Sequence, residues 1–332
     1  MLEGLYGGNS VIIKLDGQEP FSGFQFGYYL HKNGAPVQVI SFSRDNGKSD
    51  WGRKIYKNAD AMPIMGAPQA VFDIAYHDLM SKLSGNGLSE NEIREIMKNL
   101  PIPDKVVALI SHGGLGYIDQ SADIDKAVRG AIKGAARDIR SCKRMRELVV
   151  HPKVYDKLLR ELQEGMEKLY IGDVTDYKTD VPLVSESFWE NNVDPYIRSA
   201  RGGGEILFGR EEINQPKIIY DAPDSLLEQE CTYPVISLKK GDFYKAVKVC
   251  EKMADTQPKK RILEFSIFSR DKSQIEYANA HAKAFNVHSN EATTESIGKP
   301  HEGVYLAREL SYIKGYKNNS SNIMKNLLSL FA

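Results

Sequence analysis

Cysteine is scarce in this 332-residue chain: Cys142, Cys231 and Cys250 are spaced too widely for a disulfide framework or a zinc site. Free thiols suit a reducing compartment. The N-terminal MLEGLYGGNSVIIKLDG lacks the basic stretch and long apolar core of a secretory leader, so a cytoplasmic location is expected. Net charge is missing as well. The 44 Lys and Arg side chains cancel the 44 Asp and Glu, which excludes a general attraction to nucleic acid or anionic lipid. No apolar run approaches the roughly 20 residues of a membrane span. Neither nucleic acid nor membrane is therefore expected as a partner. His281, His288 and His301 are too irregularly spaced for a metal set, and no metal is assigned. The glycine clusters Gly113–Gly116 and Gly202–Gly204 lack the G-x-G-x-x-G spacing of a phosphate loop and read as turns.

What is present is a regular alternation of elements. Ser10–Lys14, Pro36–Ser43, Ala61–Met65 and Lys105–Ile110 read as short apolar strands. Phe21–Lys32, Trp51–Asn58, Ala70–Leu83 and Ser89–Asn99 read as helices between and around them, the last opened by a Ser89/Glu92 capping box. Beyond SADID (121–125) a helix runs to about Ile139. Strands are then expected at Glu147–Val150, Ile206–Phe208, Lys217–Tyr220, Val235–Leu238 and Phe265–Phe268. Helices are expected at Val154–Glu167, Asn191–Ala200, Asp242–Met253 and Lys272–Phe285. Strands alternating with helices indicate an α/β protein with a parallel sheet and helical cover. The length suits two domains.

Cys142 opens the most informative stretch, SCKRMRELVVHPKVYDKLLRELQEGMEKLYIGDVTDYKTDVPLVS (141–185). It resembles the sequence that follows the catalytic cysteine of aldehyde dehydrogenases, a "vVh..iyd.f...l" strand and helix and then "l..Gd..d..tdvgPl". GGNSVIIKLDGQEP (7–20) is similar to the family's "aGNtvVlKps..tP", and PKIIYDAPDSLLEQECTYPVISL (216–238) to its "pTil.dv.....EEiFGPvl.v". Gly66 matches the glycine of "FTGS", ADID (122–125) the family's "dADLD", and SIFSRD (266–271) its "asvfT.d". Asn290 and Glu291 resemble the place where the family's "viN" meets the substrate funnel.

The resemblance implies an open, mostly parallel Rossmann-like sheet with helices on both faces, plus a second α/β domain of catalytic type. Residues 1–118 would be the cofactor-binding domain, 119–315 the catalytic domain and 316–332 a tail. It implies NAD or NADP as cofactor and a small-molecule aldehyde or acyl substrate. Cys142 would be the nucleophile that forms a thioester, with Lys14, Asp16, Gly66 and Glu230 on the cofactor. A carboxylate at Glu230 suits two ribose hydroxyls because it accepts in bidentate fashion. Arg140, Lys143 and Arg144 lie near the thiol in sequence and would favour its thiolate.

Departures from the family are equally specific. No carboxylate lies near Leu109–Leu115 to match the general base of "ELGGK", which leaves His112 as a candidate base. The "GQ.C" before the nucleophile is IRSC, the serine of "FTGS" is Ala67, and the glycine of "FGP" is Tyr233. Relative to the family the chain begins after the first cofactor-domain strand. An oligomer, or a partner chain supplying that strand and the asparagine that donates to the oxyanion, is therefore expected. Two readings stay open: an NAD(P)-linked oxidoreductase, alone or as one subunit of a split enzyme, and a non-catalytic binding or scaffold relative.

Overall fold

The computed structural model describes residues 10–14, 20–40, 51–59, 61–65, 76–89, 91–93, 96, 106–109, 113–137, 141–173, 175–201, 204–209, 213–223, 231, 233–255, 261–294 and 301–303. The chain divides into two compact units, Met1–Ile110 with Gly303–Ala332, and Ser111–Glu302.

In the first unit, β1 (Val11–Lys14) runs parallel to β2 (Val37–Ile40), with Val11 opposite Val37 and Lys14 opposite Ile40. A parallel pair needs a crossover, and α1 (Pro20–Lys32) supplies it. The helix lies hard on β2: a Cβ built on Gly27 would fall 2.0 Å from Val39 Cγ2. After α2 (Trp51–Asn58) comes β3 (Met62–Met65), parallel to β4 (Val106–Leu109), with α3 (His77–Gly85) between them. The capping box forms as its sequence requires. Ser89 N and Oγ both donate to Glu92 Oε2, at 2.8 and 2.6 Å, and those bonds pull the Glu92 carboxyl below its ordinary value.

The second unit is built on a seven-stranded sheet. Its strands in chain order are β5 (Gly114–Ile118), β6 (Met145–Val150), β9 (Glu205–Phe208), β10 (Lys217–Tyr220), β11 (Val235–Lys240), β12 (Ile262–Phe268) and β13 (Ala284–Ser289). In space they lie in the order β13-β12-β5-β6-β11-β10-β9, all parallel except β9. β7 (Ile171–Gly172) and β8 (Val181–Pro182) form a small separate pair.

Helices cover both faces of the large sheet, as the alternation of elements predicts. On one face α4 (Ile124–Ile132), α5 (Pro152–Glu167) and α6 (Asp194–Arg201) join Ile118, Leu148, Val150 and Phe268 in one core. On the other, α7 (Phe243–Asp255) and Ala278 of α8 (Lys272–His281) pack with Leu115, Tyr117, Phe265 and Ile267. Burying each of the Leu, Ile, Val and Phe side chains among these contributes about 1.5–3 kcal/mol. Helix starts follow local chemistry: Asp123 caps α4 by accepting from Lys126 N at 3.0 Å, and Asp271 caps α8 by accepting from Ser273 N at 2.9 Å.

Two elements differ from expectation. The glycine cluster at 113–116 is not a turn but the start of the central strand β5. All five of its residues are buried, and its glycines are there because the neighbours leave no room. A Cβ on Gly114 would stand 2.7 Å from Lys143 O and 2.9 Å from Arg144 O. The helix expected over Lys272–Phe285 stops at His281. Ala282 turns extended (φ −62°, ψ 131°) and β13 begins at Ala284. That strand alternates as a strand should, but its inward positions include Asn286 and His288, so no apolar period announces it.

Gly114→Val should cost about 1–3 kcal/mol or more, because backbone carbonyls cannot yield as a side-chain end can. Urea denaturation followed by far-UV circular dichroism measures it. An unchanged midpoint would disprove the crowding argument.

Candidate active site

Cys142 stands on the turn between a π-helical segment, Lys133–Arg137, and strand β6. The turn is tied at both ends to the start of β5. Gly113 N donates to Cys142 O at 2.8 Å, and Gly114 N donates to Arg144 O at 2.8 Å. Gly113 takes φ +96°, a left-handed conformation that costs a glycine little. Within the turn, Arg144 N donates to Ser141 O at 3.1 Å and Lys143 N to Ser141 Oγ at 3.2 Å. The Cys142 thiol is half-buried, whereas Cys231 and Cys250 are buried in the core. Burial pushes the Cys231 thiol up and carries Cys250 to about 12, so both stay protonated and inert near neutral pH.

The cations beside Cys142 in sequence have definite partners. The Arg144 guanidinium is buried and donates to the carbonyls of Tyr233 and Cys231. Tyr233 in turn meets Trp189 edge to face, centroids 5.1 Å apart at 75°. Lys143 Nζ lies 3.6 Å from Glu264 Oε1. Arg140 lies outside the described residues.

Glu264 is itself fully buried on β12. Asn286 Nδ2 donates to its Oε1 at 3.2 Å, and His288 Nε2 lies 2.6 Å from its Oε2. Opposite-residue pairing puts Glu264 beside Asn286 and Ser266 beside His288, so these polar side chains share one face of the sheet. Such a cluster is expensive to desolvate unless paired, and a one-residue slip of β13 would unpair it. It therefore fixes the edge strand's register.

A further described neighbour was not signalled by the sequence. His301 Nε2 lies 3.9 Å from Cys142 Sγ, within reach of a sulfur hydrogen bond, and its side chain is half-buried. A separation of 159 residues carries no local pattern, and the histidine spacings count only against a metal. Among the described residues no group of three or more His, Cys, Asp or Glu is placed to hold a metal ion. No described helix is long and apolar enough to cross a membrane.

Of the other expected site residues, Lys14 ends β1, its backbone opposite Ile40. Asp16, Gly66, His112 and Glu230 lie outside the described residues, as does the side chain of Lys14. Asn290 clasps the ends of β12 and β13: its Oδ1 accepts from Ser269 N at 3.1 Å and its Nδ2 donates to Ser269 O at 3.0 Å. With Glu291, Lys126, Arg129 and Lys133 it lines an open groove of about 500 Å³.

Comparison with known proteins adds to this geometry. The profile of the Aldehyde dehydrogenase family matches residues 93–307, a span that includes both Cys142 and His301. A curated succinate-semialdehyde dehydrogenase (NADP(+)) of Escherichia coli strain K12 is 28% identical over 229 residues, 66% of this chain and 43% of its own length. A 1-pyrroline-5-carboxylate dehydrogenase of Bacillus cytotoxicus is 21% identical over 302 residues, 88% of this chain and 55% of its own. The chain thus spans about half the length of the curated relatives it matches. Among solved structures, a 1-pyrroline-5-carboxylate dehydrogenase from Thermus with bound NAD superposes with a TM-score of 0.68. That match is at 17% identity and covers 92% of this chain and 59% of the other. An NADP-dependent glyceraldehyde-3-phosphate dehydrogenase from Bacillus halodurans, complexed with NADP, gives a TM-score of 0.63 at 20% identity, covering 86% and 56%. These structures share the fold.

Two measurements follow from the geometry. Iodoacetamide at pH 8 should modify Cys142 in the native protein and reach Cys231 and Cys250 only after denaturant is added, as read by peptide mass mapping. Glu264→Leu leaves His288 and Lys143 without their carboxylate and should cost about 3–5 kcal/mol in chemical denaturation. A loss under about 1 kcal/mol would mean the cluster is not held together as observed.

Proposed function

Because this chain belongs to the aldehyde dehydrogenase family, we propose that it performs oxidoreductase chemistry on a small aldehyde or acyl substrate through a thioester on Cys142. The observation that carries the proposal is the contrast among the three thiols. Cys142 alone of them is accessible, and it sits on a turn held by two backbone hydrogen bonds within the span that matches the family. A nucleophile held on a rigid element keeps the near-attack geometry that lowers the barrier.

In this reading the Cys142 thiolate adds to the carbonyl carbon, a C–S bond forms, and the C=O electron pair moves onto oxygen. NAD or NADP, when bound, would supply the hydride acceptor: as the oxyanion re-forms C=O, the C–H bond of the adduct breaks, hydride departs, and a thioester remains on Cys142. Water or a second thiol then takes the acyl group and returns the thiol. Without a family-type glutamate the water route lacks help worth roughly 10²–10⁴-fold, which favours transfer to a thiol unless another base stands in. His112 is one candidate for that base. Residues 1–118 form the cofactor-binding region in this proposal, with Lys14, Asp16, Gly66 and Glu230 on the nucleotide, and residues 119–315 the catalytic one. The described part of the first region suits a dinucleotide. The parallel pair β1–β2 ends with Lys14 beside Ile40, a cation's backbone at the C-terminal mouth of parallel strands, where anionic ligands bind in α/β sheets.

Cys142→Ser should abolish aldehyde-dependent reduction of NAD or NADP while leaving nucleotide binding intact. Lys14→Ala should raise the cofactor KM roughly tenfold, the worth of one charge-assisted hydrogen bond. Titration of both nucleotides by fluorescence comes first: if neither binds, the oxidoreductase reading fails. Nucleotide binding without turnover on any aldehyde would instead mark a binding subunit.

A further inference from the structure

We propose that His301 is the proton acceptor for Cys142, so that the two form a catalytic cysteine–histidine pair. The proposal rests on the reading of Cys142 as the reacting thiol and deepens it. In the step assigned to the pair, the S–H bond of Cys142 breaks and the proton passes to Nε2 of His301. A thiolate and an imidazolium result, with no oxidant or reductant required.

Three observations carry it. The first is distance: Sγ and Nε2 are 3.9 Å apart, and both side chains are half-buried, shielded enough to strengthen the pair and open enough for a substrate to reach. The second is that both partners are held. The Cys142 carbonyl is fixed by Gly113 N, and His301 precedes Glu302, a buried non-glycine residue at φ +51°, followed by Gly303 at φ +73°. Left-handed backbone at a buried glutamate is costly and persists where surrounding structure enforces it, commonly at active sites. The third is the disposition of neighbouring charges. Lys143 is paired with Glu264, which also holds His288, and Arg144 is turned onto two carbonyls. Arg146 packs over Gly113, and Glu302 is buried next in sequence to His301. Among the described residues, Lys143 and Arg144 thus have partners in the fold other than the thiol. Of the two imidazoles in this neighbourhood, His288 is engaged by Glu264, and His301 is the one within hydrogen-bond distance of the thiol, with an ordinary value near neutrality.

The test is the pH dependence of Cys142 alkylation by iodoacetamide in the full chain, without nucleotide. Because a thiolate becomes less nucleophilic as its pKa falls, the midpoint of the profile is the readout rather than the rate at one pH. The wild type should titrate at least about one unit below the ordinary thiol value of roughly 8.5, and His301→Gln should move the midpoint up to that value. Equal midpoints in the two proteins would overturn the pair while leaving Cys142 as nucleophile. A shifted midpoint with no nucleotide binding would keep the pair and sink only the dehydrogenase reading. Should His301→Gln fail to fold, the wild type serves. Blocking Cys142 with methyl methanethiosulfonate should lower the titration midpoint of the one imidazole that shows an NOE to the S-methyl protons, as followed by NMR. No such imidazole, or one whose midpoint stays put, would equally overturn the proposal.

Discussion

Much of the second unit depends on a close approach of backbone to backbone. The first two residues of the β5 region must come near enough to the 141–144 turn for Gly113 N and Gly114 N to reach the carbonyls of Cys142 and Arg144. That approach leaves no volume for a Cβ at position 114 and demands a left-handed residue at 113. Everything adjacent follows from it. β6 leaves the turn in register with β5, Arg144 is directed inward to the Cys231–Tyr233 carbonyls, and Lys143 is left over Glu264. The thiol stays at the surface of a rigid element instead of sinking into either core.

The sheet also buries an unusual amount of charge. Glu147 meets Lys239 at 3.0 Å across neighbouring strands β6 and β11, and Glu264 gathers Lys143, His288 and Asn286 near the other edge. Pairs of this kind add little net stability, because desolvation consumes most of the attraction. Their contribution is discrimination. Each is satisfied in one register, so they fix which residues stand opposite one another where apolar contacts alone would tolerate a slip.

How much of this was legible in the sequence varied with the kind of signal. The short strands at Val11–Lys14, Val37–Ile40 and Lys217–Tyr220 and the helix at Pro152–Glu167 announced themselves through apolar runs and a 3.6-residue period. The Ser89/Glu92 box was equally plain. β5 was hidden because glycine is read locally as a turn former, whereas here it answers to carbonyls 30 residues away. β13 was hidden because its buried positions are polar, their partners lying on β12. The family came through, since Cys142 and its downstream pattern are contiguous. His301 did not, because its place beside the thiol is created by the fold.

Trp189 gives the described geometry a further consequence. It is one of only two tryptophans in the chain, and its ring sits under the ammonium of Lys217 at 5.3 Å while meeting the edge of Tyr233. Tyr233 receives Arg144, two residues from the thiol. Displacing the 141–144 turn would move Arg144 and the Tyr233 carbonyl it holds, and so change the surroundings of one of the chain's two indoles.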